Sequence, residues 1–144
     1  MKTSRGRASM GATSWKLFLF ITALAEGTVG ICLLFLPAVL FALLLGLEQA
    51  AVETNFVGRI AGAALLAIGV ASWIARNDSF TAAQLGLLSG IFIYNATVST
   101  LLVYAGTVLK MNGILLWPTV ALHAILAVWC LDCLRRDGIT KLRS

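Results

Sequence analysis

Four apolar stretches, Leu17–Leu36, Phe56–Ala75, Phe80–Thr107 and Gly113–Leu134, each approach or exceed the length needed to cross a lipid bilayer, and mostly short connections separate them. A helix needs about 20 largely apolar residues to cover roughly 30 Å of hydrocarbon. No water reaches the backbone in that layer, so each stretch must close its own hydrogen bonds as a helix. The predicted fold class is an all-α integral membrane protein, with four transmembrane helices in an antiparallel bundle. A length of 144 residues, 60% of them hydrophobic and 12% charged, with mean hydropathy +0.94, excludes an ordinary soluble globule and leaves room for one domain.

Connections set the order. Pro37 ends the first helix, and "AVLFALLLGL" at 38–47 is too short to span, so it reads as an interfacial or re-entrant segment. "EQAAVETN" at 48–55 is the following loop, with Thr54 or Asn55 able to cap the second span. "RNDS" at 76–79 forms a tight turn in which Asp78 or Ser79 can cap the third, and "KMNG" at 110–113 leads into the fourth. Short connections predict that consecutive spans are antiparallel neighbours. The chain divides into a mobile cytoplasmic tail over 1–13, the transmembrane domain over 14–136 and a basic cytoplasmic tail over 137–144. No internal repeat is visible.

The net charge of +5 does not call for nucleic acid as a partner, because the cations lie at helix ends rather than on one face with base-reading groups. Lys2, Arg5, Arg7 and Lys16 precede the first span, Arg76 occupies the second connection, and Arg135, Arg136, Lys141 and Arg143 follow the last. Only Arg59 and Lys110 fall near the opposite face. The positive-inside rule places both termini in the cytoplasm, and the expected setting is the inner membrane of a bacterium. "LFLFIT" followed by "ALA" at 23–25 also fits a signal peptide cleaved before Glu26. The apolar run resumes through "ICLLFL", however, which favours a retained span.

Small residues mark where helices can touch, because close backbone approach supplies much of helix association in lipid. Gly58 and Gly62 make a GxxxG in the second span, with Gly69 seven residues on. Gly86 and Gly90 make another in the third, and Ala23, Gly27 and Gly30 line the first. They predict packing within the chain, or a homodimer or membrane-protein partner through one of them.

Every span carries a polar group that lipid penalises: Glu26, Arg59, Gln84 with Asn95, and His123. Such groups usually face the bundle interior or a water-filled cavity. Counting a ~1.5 Å rise per residue, Glu26 lies about 15 Å and His123 about 18 Å from the inner surface, with Asn95 about 24 Å and Arg59 about 25 Å deep. The expectation is a middle layer of Glu26 and His123 and an outer layer of Asn95 and Arg59, with Arg59 also able to reach Glu26. Thr119, His123, Ala127 and Cys130 recur on one helix face, as do Thr22, Glu26 and Gly30 on another. These stripes predict a narrow polar seam, serving as a structural pair, a proton or ligand site, or a subunit contact. Whether Glu26 carries charge depends on its neighbour.

Other signals carry less chemistry. "CLDC" at 130–133 has redox or metal spacing, yet no second pair exists to pass electrons onward and a single histidine makes a poor zinc site. Interface thiols, open to lipidation, are the alternative. Trp15, Trp73, Trp117 and Trp129 suit an interfacial aromatic belt, while Tyr94 and Tyr104 suit either a cavity wall or packing. No P-loop, nucleophile elbow or HExxH is present. No cofactor is expected, and enzymatic activity is not favoured.

Two resemblances add expectations. "ITALAEGTVGICLLF" resembles the first helix of the small multidrug resistance transporters over about a dozen residues. That likeness implies proton exchange for cationic drugs through the position of Glu26. The chain departs from the pattern in its greater length, in Arg59 and His123, and in the segment after Pro37. "GRIAGAALLAIGVASWIAR" at 58–76 is similar to small DoxX-like bacterial membrane proteins, which implies an accessory role in the inner membrane. The expected function is a non-enzymatic accessory, assembly or interaction subunit; the alternative is a proton-coupled transporter or ligand-binding protein built on Glu26, His123 and Arg59.

Overall fold

The computed structural model describes the backbone over residues 4–47, 49–79 and 81–138, and within them the side chains from Ser14 to Arg136. The helices are α1 (Ser4–Phe35), α2 (Pro37–Leu45), α3 (Val52–Ala75), α4 (Ala82–Thr107) and α5 (Leu116–Cys133), followed by a π-helical turn over Leu134–Gly138. The described residues contain no strand. Among the described residues, four segments are long and apolar enough to cross a membrane: Ser14–Phe35, Val52–Ala75, Ala82–Thr107 and Leu116–Arg136. Residues 1–3 and 139–144 of the expected tails, Glu48 of the expected loop and Phe80 lie outside the described residues.

Boundaries follow local chemistry. Helix α1 already runs through the backbone of residues 4–13, the stretch assigned from sequence to a tail. It stops at Phe35, and Leu36, with φ of −130°, turns the chain so that Pro37 opens α2. Proline suits that place because its fixed φ fits a first turn, where no intrahelical partner for an N–H exists. Gly46 then closes α2 at φ 74°, its N–H bonding Ala42 O at 3.0 Å. A left-handed residue is needed there, and glycine adopts it without a Cβ penalty.

Two expected caps are corrected. Helix α3 begins at Val52 behind Ala51, so Thr54 and Asn55 lie inside it, and Asn55 Nδ2 instead donates to Ala50 O at 3.1 Å. Helix α4 is capped by Thr81 rather than Asp78 or Ser79. Gln84 Oε1 accepts the Thr81 N–H at 3.1 Å and also contacts the Thr81 hydroxyl. Gln84 is therefore a capping-box partner at the helix start, not a polar group at membrane depth.

The bundle consists of two close pairs, α1 with α3 and α4 with α5, joined through α1 and α5. Between α1 and α3 the backbones nearly touch. A Cβ on Gly30 would lie 2.8 Å from Gly62 O, one on Gly62 2.8 Å from Gly30 O, and one on Gly69 2.9 Å from Gly27 N. Gly58 accommodates the Phe41 ring of α2. Gly86 and Gly90 behave differently from this expected role: both are exposed, and a Cβ on either would meet nothing within 4 Å. Helices α3 and α4 make no extensive contact despite the short turn between them, which corrects the expectation that consecutive spans are antiparallel neighbours for this pair.

The pairs are tied together by a cluster of Trp15, Phe18 and Leu19 from α1, Leu88 and Ile91 from α4, and Leu126, Cys130 and Cys133 from α5. Trp15 is 3% exposed and belongs to this core rather than to an interfacial belt. Trp129 is half-buried beside it, edge-on to Phe18 at 5.6 Å, with its N–H donated to Ser14 Oγ at 3.1 Å. Trp73 and Trp117 remain exposed. Away from the cluster α2 lies between the helix ends, bound to the α4–α5 loop by Leu115 N–H to Leu43 O at 2.9 Å. Gly113 makes this contact possible, since a Cβ there would collide with the Leu43–Leu44 backbone.

Candidate functional site

Beside α2 the bundle holds a cavity of about 250 Å³. Leu40, Phe41 and Leu44 of α2 form one side, and Leu65 reaches it from α3. The walls are otherwise Ala25, Val29 and Leu33 of α1, Val98 and Leu102 of α4, Leu115 of the α4–α5 loop, and Leu122 and Leu126 of α5. Against this apolar lining stand four polar side chains: Glu26, Tyr94, Thr119 and His123.

The polar groups form two pairs rather than the expected single one. Glu26, 3% exposed, accepts a hydrogen bond at Oε2 from the Tyr94 hydroxyl at 3.2 Å. His123 Nδ1 lies 2.7 Å from Asn95 Oδ1, and Asn95 Nδ2 donates to Ile91 O at 2.9 Å. The pairs are linked by rings: Tyr94 and His123 meet edge to face, with centroids 5.7 Å apart and planes at 83°. Adjacent positions on one helix turn explain why Tyr94 takes one acid and Asn95 the imidazole.

The sequence-based layers are corrected accordingly. Glu26 and His123 share the cavity, yet no ion pair joins them. Asn95 belongs with His123 instead of with an outer layer. Arg59 is exposed on α3 and takes no part in the group; among the described residues it is bonded to neither Glu26 nor Asn95. Gly30 faces α3 rather than α5, so the Thr22–Glu26–Gly30 stripe divides between two neighbours. Thr22 is fully buried, and its hydroxyl has no hydrogen-bond partner among the described residues. Tyr94, left open between wall and packing from sequence, supplies the donor to Glu26.

The cysteines lie apart from this site. Cys130 and Cys133 are 0% and 1% exposed in the core cluster, and the Cys130 thiol donates to Leu88 O at 3.1 Å. That burial corrects the expectation of lipid-accessible thiols at the interface. No group of three metal-ligating side chains occurs among the described residues.

A cavity lined mostly by aliphatic side chains, with a few convergent polar groups of fixed orientation, has the form of a small-molecule site. It lies below the usual ligand-pocket range of about 300–1,000 Å³, which restricts it to small guests. No known protein family matches the chain, and neither a characterised protein nor a solved structure is significantly similar to it.

Proposed function

We infer that this chain is a small multi-pass protein of a bacterial inner membrane that binds a lipid-soluble small molecule in the cavity between α1, α2, α4 and α5. The supporting observation is the placement of Glu26 and His123 on one apolar cavity, each oriented by its own partner, Tyr94 or Asn95. A purely structural role needs no cavity beside the paired groups, and the cavity supports a binding role. The cavity walls Val29 and Leu122 are 38% and 45% exposed, which supports entry sideways from the lipid between α1 and α5. Exchange of a proton at Glu26 for the guest is the transport form of this reading.

The topology belongs to the same proposal. An antiparallel bundle is supported by contacts that run in opposite order along each pair, Gly27 with Gly69 and Gly30 with Gly62, and Cys130 with Leu88 and His123 with Asn95. Cations flanking the first and last spans support cytoplasmic termini.

The test is Glu26→Gln in lipid nanodiscs, titrated with a panel of medium-chain amphiphiles. Binding of the amphiphiles with a cationic head should weaken by about tenfold, equivalent to about 1.4 kcal/mol, with the thermal midpoint nearly unchanged. Loss of stability without change in binding would return Glu26 to a structural role. A second reading, an accessory subunit, is supported by the open Gly86 and Gly90 face of α4. Mild-detergent purification should then recover a stoichiometric partner, whereas a lone monodisperse chain would count against it.

A further inference from the structure

The hydrogen bonds around His123 dictate what kind of polar group the cavity can receive. Asn95 Nδ2 is committed to Ile91 O at 2.9 Å, which fixes the amide and turns its carbonyl oxygen toward the imidazole. Facing an acceptor at 2.7 Å, His123 Nδ1 must carry the proton. In the neutral ring the other nitrogen, Nε2, is then a bare acceptor. Nε2 makes no hydrogen bond among the described residues and is not a sealed atom, and His123 lines the cavity.

As a carboxylate, Glu26 presents the same character. Its Oε2 is occupied by the Tyr94 hydroxyl, while Oε1 makes no hydrogen bond and likewise keeps accessible surface. Tyr94 spends its one donor on Glu26. Thr119 is the single further hydroxyl on the lining. The polar end of the cavity is therefore rich in acceptors and poor in donors, and the rest is hydrocarbon.

Resting on the binding role proposed above, the geometry points to a guest with a hydrogen-bond-donating head, a hydroxyl or an ammonium, on a short apolar chain. An ammonium head donates to both His123 Nε2 and Glu26 Oε1, a hydroxyl head donates its one proton to one of them, and the chain lies toward Leu40, Leu44 and Leu102. A molecule whose head only accepts leaves two buried acceptors unpaired, and that mismatch separates it from a donor of equal length.

His123 is the only histidine, so its ring nitrogens can be isotopically labelled and read by NMR without assignment. The full chain in nanodiscs is titrated with n-decanol, n-decylamine and decyl methyl ether, which share one tail. The free protein should show protonated Nδ1 and bare Nε2. Decanol and decylamine should shift the Nε2 signal and bind about tenfold tighter than the ether, the size of one lost hydrogen bond to a polar guest. A proton on Nε2, a doubly protonated ring, or an ether that binds as well as the donors would overturn the donor assignment. In the last case the cavity keeps its binding role, whereas failure of all three guests to bind removes both. Glu26→Gln separates the two heads: decylamine affinity falls with the acid removed if the guest is an ammonium, and decanol affinity stays within a few-fold.

Discussion

At the residue scale, two hydrogen-bonded pairs of unequal quality orient the polar side of the cavity. His123 and Asn95 meet at 2.7 Å in a buried setting, whereas Tyr94 reaches Glu26 at 3.2 Å. Asn95→Leu leaves the Nδ1–H of His123 without its acceptor, and such orphaned groups cost about 1–3 kcal/mol in water-soluble interiors. Within membranes the measured average for a polar contact is lower, about 0.6 kcal/mol, because the unfolded chain also finds partners. The expected cost is thus about 1 kcal/mol for Asn95→Leu and about half that for Tyr94→Phe, read by unfolding in mixed micelles. A larger loss for Tyr94→Phe would mean that Glu26, not His123, anchors the group. Sequence reasoning found Glu26, His123 and Asn95 because polar residues in apolar spans are conspicuous. It mispaired them because depth fixes height along the bundle but not direction around a helix.

At the element scale, helix contacts are decided by backbone approach. A Cβ placed on Gly62 falls 2.8 Å from Gly30 O and 2.9 Å from Leu33 Cβ, and backbone of a paired helix has little room to yield. Gly62→Ala should therefore destabilise by about 1–3 kcal/mol, the usual range for overpacking. Gly90→Ala meets open space, and alanine is the better helix former, so its effect should lie between neutral and about 1 kcal/mol stabilising. A loss of stability or of oligomer on Gly90→Ala would show that another chain covers that face. Both glycines sit in GxxxG patterns, so spacing alone could not tell them apart. The spans themselves were legible from apolar length, and Pro37 marked the break before α2. Caps were read two to four residues away, since Thr, Asn, Asp and Ser all cluster in these connections. Which face each helix buries was not legible, because lipid and protein interior are equally apolar and leave no polarity contrast along the helix.

At the scale of the whole molecule, the cavity lies between a packed core cluster and the short helix α2. Trp15, Phe18, Leu126 and Cys130 lock α1 to α5, and away from them α2 packs as a wedge against Gly113 of the α4–α5 loop. The lock predicts thiol behaviour: of the three cysteines, half-buried Cys32 should react with N-ethylmaleimide in the native protein, with Cys130 and Cys133 reacting only after unfolding. Mass spectrometry of the adducts checks this, and rapid native labelling of Cys130 would show that the lock is open. The wedge makes the complementary prediction. Val98 of α4 lines the space, and Val98→Phe adds a ring's volume to a cavity of about 250 Å³. In a packed core such an enlargement costs about 1–3 kcal/mol. In an open cavity the added ring gains contacts that the void withholds, so stability should hold or rise while n-decanol binding is lost. Destabilisation with binding intact would mean that the walls close on one another in the bilayer and that the guest sits elsewhere.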